Sequence, residues 1–377
     1  MTDAAVHKHR LHALCPYFAM FPETFARENI LAYTRAGELV MDPFSGRGTT
    51  LLEALLNDRD AIACDINPVA YCVSAAKAAT PSLPQVVGEL SRLQIDFTYC
   101  SQRIEHEMRK LPRFFARAFH SDSLRALLFL RSALQWRRLP THRFIAALVL
   151  GHLHGESDRS RNYLSNQMPH TISTKPEYSL RYWRRNKLKA PYRNVFELLV
   201  DRARYRLADG SPSRRGKMAM CDARRVSNEF AASHGKVAAV ITSPPYLDVT
   251  SFEEDQWLRL WFLGGPPQPS YGRVSHDDRH RSPARYWDFL TEVWKGIRPV
   301  LKRSAILVCR IGARRMDSEE IEDRLYGSVL EVWPRAGLLA YPMVTSIKNR
   351  QSQILHPDSS GCREEIDMVF ELQAAPR

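Results

Sequence analysis

The segment Ser243-Pro-Pro-Tyr246 combines hydrogen-bond acceptors with an aromatic face. Two adjacent prolines end the apolar run before them and give a stiff loop that lacks backbone donors at Pro244 and Pro245. The carbonyls of Ser243 and Pro244 and the Ser243 hydroxyl can therefore act as acceptors, and the Tyr246 ring offers a flat surface for stacking. Such a loop suits an exocyclic amine on a planar heterocycle, because acceptors aimed at the amine hydrogens expose its lone pair. The alternative is a loop that only ends a strand.

A second set of residues, at the ends of three predicted strands, suits a nucleoside-like ligand. Gly46 and Gly48 let a ligand approach the backbone, and the helix amides beyond them can bind its polar groups. The third glycine of a dinucleotide-binding fingerprint is replaced by Leu51. Asp65 can accept from both ribose hydroxyls of an adenosine, and Asp222 from an adenine amino group. Each acid alone is usually a cap or turn residue, but together they predict one site.

The elements that must position these residues alternate between strands and helices. Such alternation is typical of a doubly wound α/β sheet, which binds ligands at the carboxyl ends of its strands. The runs at 217–221 and 237–242 are expected to be buried. The sequence predicts strands at 38–44, 60–65, 217–221, 237–242, 305–311 and 365–372, and helices at 49–56, 68–79 and 286–301.

A basic segment at residues 81–215 interrupts this alternation. Its residue pattern predicts mainly helix and loop. The helices are expected at 124–136, 144–150 and 194–206. The segment holds 25 basic and 11 acidic residues, whereas the rest of the chain holds 29 and 30, so it carries the whole excess of the net charge of +13. Concentrated positive charge indicates a polyanionic partner such as DNA or RNA. A well-solvated arginine-rich surface is the alternative.

The most basic stretch, residues 181–193, contains six basic residues, three aromatic residues and no acid. Basic groups bind phosphates, and aromatic rings stack on bases. For Trp183, packing on the protein core is an equally good interpretation. Residues 163–169 and 273–285 are weaker candidates for the same surface. The residues predicted to bind nucleic acid are Arg181, Trp183, Arg184, Arg185, Lys187 and Lys189.

Several motifs, in chain order, resemble those of the S-adenosylmethionine-dependent amino-methyltransferases of DNA. Residues 15–25 resemble the segment beside the methionine end of the cofactor in that family. The Ser-Pro-Pro-Tyr form resembles the N4-cytosine branch, whereas N6-adenine enzymes more often have Asp or Asn before the prolines. The likeness covers about residues 1–80 and 217–372. The motifs are Asp42-Pro-Phe-Ser-Gly-Arg-Gly-Thr-Thr50, Cys64-Asp-Ile-Asn-Pro68, Cys221-Asp-Ala223 and Thr242-Ser-Pro-Pro-Tyr246.

The resemblance implies a Rossmann-like class I methyltransferase fold with a cofactor-binding half at 1–80, a basic insertion with the target-recognition region at 81–215, and a catalytic half at 216–377. It implies S-adenosylmethionine as cofactor, no metal, and duplex DNA from which a cytosine is flipped. The catalytic residues implied are Ser243, Pro244, Pro245 and Tyr246. Asp248, which is close in sequence, is a candidate acceptor of the released proton or, equally, a cap of the following turn. The residues implied to bind the cofactor are Tyr17, Asp42, Pro43, Phe44, Ser45, Gly46, Gly48, Thr49, Thr50, Asp65, Ile66, Asn67, Asp222 and Ala223.

Other functions remain open. They are N6-adenine methylation of DNA, methylation of RNA or of a protein amide, and a non-catalytic DNA-binding module with the same fold. The sequence shows no secretory signal and no apolar run near the ~20 residues of a bilayer span. Seven cysteines without a C-x-x-C motif argue against a disulfide framework. We therefore expect a cytoplasmic protein without membrane contact. A restriction endonuclease acting on the same site is left open as a partner.

Overall fold

In the computed structural model of the chain, the described residues are 8–17, 21–155, 160–168, 175–247, 252–269, 283–313, 316–346, 362 and 364–373. They form two compact units. The sheet unit comprises Met20–Ser74, Ser213–Ser251 and Val274–Arg377, and the helical unit comprises Met1–Ala19, Ala75–Pro212 and Phe252–Arg273.

The strands of the sheet unit form one mixed sheet of the predicted class. The strands are β1 (Leu39–Asp42), β2 (Asp60–Cys64), β3 (Lys217–Ala219), β4 (Val237–Thr242), β5 (Leu301–Ile311), β6 (Gly337–Leu338), β7 (Met343–Ser346) and β8 (Glu364–Gln373). Their order is β3-β2-β1-β4-β5-β8-β6, and β7 also pairs with β8. The first five are parallel neighbours, and β8 is antiparallel to β5. This order confirms the Rossmann-like methyltransferase fold.

A helix is present at each predicted position, although the bounds differ at several of them. They are α1 (Glu23–Tyr33), α2 (Thr49–Leu56), α3 (Pro68–Ala78), α4 (Leu83–Thr98), α5 (Ser101–Lys110), α6 (Arg113–Ala118), α7 (Ser121–Ala133), α8 (Pro140–His152), α9 (Pro176–Arg185), α10 (Val195–Arg206), α11 (Val226–Glu229), α12 (Phe252–Phe262), α13 (Pro283–Ile297) and α14 (Ser318–Val332).

The sequence prediction was wrong about the burial of residues 217–221. Strand β3 covers only Lys217–Ala219, and its residues are exposed or half-buried. The reason is its place at the end of the strand order, where β2 is its one neighbour among the described strands. Apolar composition alone does not distinguish an edge strand from a central one. By contrast, every residue of β4 is buried, as predicted.

The predicted helix at 286–301 also ends earlier than expected. Helix α13 ends at Ile297, and a 3₁₀ turn at Arg298–Val300 leads into β5, which begins at Leu301. Pro299 lacks a backbone N–H and disfavours helical geometry in the residue before it. The helix therefore stops there, and the chain turns into the sheet.

The helical unit includes residues from three separate parts of the chain. Arg259 of α12 is fully buried and joins them, since its Nη1 donates to the Pro16 carbonyl (2.8 Å) and its Nε to the Leu150 carbonyl (3.1 Å). A side chain at Gly151 would lie 2.2 Å from the Leu14 carbonyl, so the segment before α1 packs closely on α8. Residues 8–17 and α12 are thus built into the unit that contains the basic segment. The role of residues 81–215 in target recognition stays a prediction.

Two further findings concern the described chain as a whole. Within its described part, no helix combines the length and the apolar character that a bilayer span requires. All seven cysteines lie within the described residues, and no disulfide joins them.

Candidate functional site

The structure brings the predicted strand-end residues of the sheet unit to one edge of the sheet. Because β3, β2, β1 and β4 are parallel neighbours, their carboxyl ends lie side by side. The order reverses between β1 and β4, which is where doubly wound sheets bind ligands. The Thr242 hydroxyl at the end of β4 donates to Asp42 Oδ1 at the end of β1 (2.7 Å). This bond fixes the two central loops at the edge relative to each other.

The loop after β1 turns tightly around its two glycines. Gly46 and Gly48 have φ angles of 51° and 77°, in the left-handed region that favours glycine. A side chain at Gly48 would lie 2.7 Å from the Ser74 hydroxyl. Ser74 Oγ also donates to the Gly46 carbonyl (2.8 Å), so α3 holds the loop from behind. The backbone itself therefore forms the surface that a ligand would meet.

Other predicted cofactor residues in this loop help to hold it. The Cys64 thiol donates to the Pro43 carbonyl (3.2 Å), and the Ser45 amide donates to the Cys64 carbonyl (3.0 Å). Phe44 is half-buried beside Phe289, with ring centroids 6.0 Å apart. At the start of α2, Thr49 accepts from Arg47 Nε (3.2 Å), and Thr50 donates to the Ile241 carbonyl (3.0 Å).

Asp42 is a buried carboxylate with one oxygen available for a cation. Its Oδ1 accepts from the Phe44 amide (3.0 Å) and from Thr242, whereas its Oδ2 has no hydrogen-bond partner among the described residues. Burial raises the pKa of Asp42 to about 6. A buried acceptor of this kind is costly unless a donor meets it. It fits a cationic group such as an ammonium.

Asp65 connects the end of β2 to the glycine loop. Its Oδ2 accepts from the Gly46 amide (2.8 Å) and its Oδ1 from the Asn67 amide (2.9 Å). Burial raises the pKa of this carboxyl to about 6. The next residue, Ile66, is 68% exposed and offers an apolar face beside the carboxylate. Asn67 accepts from the Val69 amide (2.8 Å) and so caps α3, which is a structural role.

Asp222 is engaged by a neighbouring arginine. Arg224 Nε lies 2.9 Å from Asp222 Oδ1, and Arg224 Nη2 lies 2.5 Å from Oδ2. The same guanidinium donates to Glu292 (3.1 Å), and Ala223 between the two residues is buried. This pairing of Asp222 with Arg224 was not predicted from the sequence. A carboxylate has about four lone-pair positions, so a bond to an adenine amino group would have to share Asp222 with Arg224.

The Ser-Pro-Pro-Tyr loop follows β4 directly. Ser243 and Tyr246 are half-buried, and Pro244 is buried. The Tyr286 hydroxyl donates to the Pro245 carbonyl (2.9 Å), which fixes the middle of the loop. The Tyr246 hydroxyl donates to Glu365 Oε1 (2.8 Å). Burial, followed by the charge of Glu365, raises the pKa of Tyr246 well above its usual value.

Sequence reasoning missed the residues that support this loop. Arg310 on β5 donates to both oxygens of Asp367 on β8, at 2.6 Å each, and lies 3.9 Å from Glu365. Its guanidinium also covers the Phe25 ring, 4.0 Å from the centroid. Charged residues within apolar strand runs, at 310 and 367, are a signal that could have indicated a buried ion pair. Their partners could not be assigned, because only the sheet order places β8 beside β5.

Tyr17 belongs to the helical unit, where it is buried. The residue before it, Pro16, is held by Arg259 as described above. Asp248, the candidate proton acceptor, lies outside the described residues, as do residues 270–282 and Pro169.

The basic stretch of the helical unit presents most of its predicted cations to solvent. The structure corrects the prediction that Trp183 binds nucleic acid, because this side chain packs in the core. It is 2% exposed, its Nε1 donates to the Gln167 carbonyl (2.5 Å), and its ring lies 5.5 Å from that of Phe114. Tyr178 and Tyr182 of α9 stack instead on the outer side, 6.5 Å apart, and Tyr178 is 47% exposed. The exposed cations are Arg181, Arg184, Arg185, Lys187 and Lys189.

Two histidines of the helical unit are deeply buried. His152 and His154 are buried, and burial lowers the pKa of His152 to about 4, so it is neutral at pH 7. Across the described ranges, no group of three or more His, Cys, Asp and Glu side chains could hold a metal ion.

Comparison with known proteins gives a family-model match to the N-terminal part of the chain and a short match to a curated protein. A family model described as DNA methylase, for N6 and N4 methyltransferases, matches residues 4–76. The orphan methyltransferase M.BamHII of Bacillus amyloliquefaciens is 44% identical over 54 residues, which are 14% of this chain and 20% of that protein. The chain thus spans about a fifth of the length of the curated relative. Both matches are to DNA methyltransferases, as the sequence predicted, but they are short and do not distinguish the N4 branch from the N6 branch.

Solved structures with related folds are more distant. The rRNA methyltransferase aviRa of Streptomyces viridochromogenes is 13% identical with a TM-score of 0.35, over 97% of this chain and 94% of that one. An rRNA methylase of Streptococcus thermophilus is 7% identical with a TM-score of 0.34, over 95% and 99%. The fold assignment therefore rests on the strand order and not on these neighbours.

Proposed function

We propose that this protein transfers a methyl group from S-adenosylmethionine to the exocyclic N4 amine of a cytosine flipped out of duplex DNA. The observation that carries the proposal is the placement of the Ser243–Tyr246 loop beside the glycine loop and Asp42, at the edge where the sheet order reverses. The match of residues 4–76 to DNA methylases supports it.

The residues at this edge fit the proposed cofactor. The unpartnered Oδ2 of Asp42 suits the ammonium of a methionine moiety. Asp65 has lone pairs left for ribose hydroxyls, and the exposed Ile66 suits an adenine face. Gly46 and Gly48 have no side chains, so no β-carbon stands between a ligand and the backbone of the glycine loop. S-adenosylmethionine supplies an electrophilic methyl on a sulfonium.

The chemical role of the Ser243–Tyr246 loop is to position the amine. The Ser243 hydroxyl and the loop carbonyls accept hydrogen bonds from the amine, so its lone pair points at the methyl group. The Tyr246 ring stacks on the flipped base. Alignment of two reacting groups supplies much of the acceleration in such a transfer, and no covalent enzyme intermediate is needed. Asp248 remains the proposed acceptor of the released proton.

We infer that the helical unit binds the DNA backbone. The five exposed cations of residues 181–189 provide a concentrated positive surface, and no acidic residue among the described ones forms an ion pair with them. Lysine and arginine contacts to phosphates supply most of the sequence-independent affinity for DNA. The cytoplasm as the site of action, and a restriction endonuclease for the same sequence, remain predictions.

The test is incubation of the purified protein with isotopically labelled S-adenosylmethionine and unmethylated duplex DNA. The DNA is then digested to nucleosides and analysed by mass spectrometry. Label in N4-methylcytosine is the expected result. Label in N6-methyladenine would retain the family and the cofactor but contradict the role given to Ser243. Label in RNA alone, offered in a parallel reaction, would contradict the DNA substrate, and no label in either would favour a non-catalytic DNA-binding module.

A further inference from the structure

The Tyr246 side chain is held at both of its ends. Its hydroxyl donates to Glu365 Oε1 at 2.8 Å. Its ring lies against Gly312 at the end of β5, where a β-carbon would come within 3.3 Å of the ring. A phenol that bonds a carboxylate makes a charge-assisted hydrogen bond, which is stronger than a neutral one. The ring plane is therefore fixed by its hydroxyl and not only by packing.

Glu365 is itself held in a short ionic network. Arg310 lies 3.9 Å from Glu365 Oε2 and makes two bonds of 2.6 Å to Asp367, which shares strand β8 with Glu365. Arg310 is paired across the sheet with Asp367, and its other side covers the Phe25 ring. Arg310 and Asp367 are both less than a tenth exposed. One cation thus offsets two carboxylates in a site where an unpaired charge would be costly.

We propose that Glu365 is a positioning residue for methyl transfer, which fixes the Tyr246 ring in the orientation that stacks on the target base, with Arg310 holding Glu365 in place. This inference rests on the proposed function. It assigns a role in the reaction to the antiparallel strand β8, far in sequence from the family motifs. Neither Glu365 nor Arg310 needs to touch the base or the cofactor.

The network is expected to act on turnover more than on binding. DNA affinity comes mainly from phosphate contacts, and the proposed cofactor residues of the sheet unit lie at or after the ends of β1, β2 and β3. If the hydroxyl loses its partner, the ring can rotate, and fewer bound bases reach the reactive geometry. The loss of one hydrogen bond to a charged group corresponds to about 10- to 100-fold, here in kcat.

The test is a double-mutant cycle at Tyr246 and Glu365. The variants are Tyr246→Phe, Glu365→Leu and the double variant, with Glu365→Gln as the conservative change and Glu371→Leu as a matched control on the same strand. We measure kcat and KM for methyl transfer, the dissociation constants for cofactor and DNA, and the thermal midpoint of each protein.

The expected result is a similar fall in kcat for Tyr246→Phe, Glu365→Leu and the double variant, with unchanged cofactor and DNA dissociation constants. Glu365→Gln keeps an acceptor for the hydroxyl and is expected to lie between wild type and Glu365→Leu. Glu371→Leu is expected to keep the wild-type kcat.

Three outcomes would overturn the inference. Additive effects in the double variant would show that the two residues act separately. An unchanged kcat in well-folded Tyr246→Phe would show that the hydrogen bond between Tyr246 and Glu365 does not position the ring. This variant removes a single oxygen, so its folding is the least affected. A wild-type protein that methylates no nucleic acid would instead overturn the proposed function and, with it, this inference.

Discussion

Two carboxyl groups at the edge of the sheet have pKa values above the usual range. Asp42 and Asp65 have pKa values raised to about 6 by burial, so each holds a proton more tightly in the folded protein than in the unfolded chain. Carboxyl groups with strongly perturbed pKa values are common at binding and catalytic sites. The raised pKa values also make the stability of the folded protein depend on pH.

Asp42→Asn is expected to raise the free energy of unfolding above pH 6. Neutral Asp42 stabilises the folded protein fully below the unfolded pKa of 3.8, and this stabilisation is lost as the pH rises through the folded pKa of about 6. The Asn variant stays neutral at every pH, so its advantage is on the order of 1–3 kcal/mol at pH 8.

Urea denaturation of both proteins at pH 4, 6 and 8 checks this prediction. The measurement at pH 4 is the internal control, because in the folded protein both side chains are then close to neutral and little of the difference is left. An advantage of equal size at pH 4 and pH 8 would show that ionisation of Asp42 is not the cause.

Ser243→Ala is expected to lower kcat by about 100-fold, the order found when one positioned hydrogen-bonding group is lost from an active site. The cofactor dissociation constant should stay the same, because Ser243 follows β4 and the proposed cofactor residues follow β1, β2 and β3. Ser304→Ala, at an exposed position of β5, is the matched control. Full turnover by Ser243→Ala would exclude Ser243 as the acceptor for the amine.

At the scale of elements, each loop of the site is fixed by a neighbouring element. Helix α3 supports the glycine loop through Ser74, and β8 supports the Ser-Pro-Pro-Tyr loop through Glu365. The tyrosine of α13, Tyr286, holds the Pro245 carbonyl. A ligand would therefore meet loops that are already ordered, which reduces the entropy lost on binding.

Gly48→Ala is expected to lower the free energy of unfolding by about 1–3 kcal/mol, because it forces a left-handed φ on a residue with a side chain. The new methyl group would also lie 2.7 Å from the Ser74 hydroxyl. Cofactor affinity should fall as well, since the loop must shift. Chemical denaturation and calorimetric titration with S-adenosylmethionine measure the two effects.

Gly327→Ala is the matched control for this substitution. Gly327 lies within α14, and no atom lies within 4 Å of the added β-carbon. The same change there should raise stability by about 0.5–1 kcal/mol, because alanine has the higher helix propensity. Equal effects at the two positions would mean that the left-handed turn at Gly48 does not constrain the loop.

At the scale of the whole molecule, charge is distributed unevenly. Residues 81–215 carry the excess of basic residues, and the remainder of the chain is close to neutral. Most of this segment belongs to the helical unit, whereas the loops with the proposed chemistry belong to the sheet unit. Salt should therefore affect DNA binding strongly and cofactor binding little.

The combined substitution Arg184→Gln and Arg185→Gln is expected to weaken DNA binding and to reduce the salt slope of log K by about 2, about 1 for each lost phosphate contact. Binding is measured at several salt concentrations between 50 and 200 mM. Arg92→Gln is the control, because Arg92 of the same unit is paired with Glu89 and Asp96. An unchanged salt slope in the double variant would show that DNA binds to a different surface of the protein.

Sequence information was sufficient for the strand-and-helix alternation, the strand-end motifs and the uneven charge. These features depend on local patterns: apolar runs make strands such as β4, glycines mark tight turns, and Thr49–Leu56 has the spacing of a buried helix face. The order in the chain was enough to predict the fold class, because parallel strands joined by helices have few arrangements.

The three-dimensional fold was needed to identify the side chains that support the site. Glu365 and Tyr246 are 119 residues apart and meet because β8 inserts beside β5. Trp183 turned out to be a core residue, and β3 turned out to be an edge strand, because burial depends on the elements packed nearby and not on residue type. Long-range contacts of this kind leave no periodic signal in a single sequence, since their spacing is set by the intervening fold.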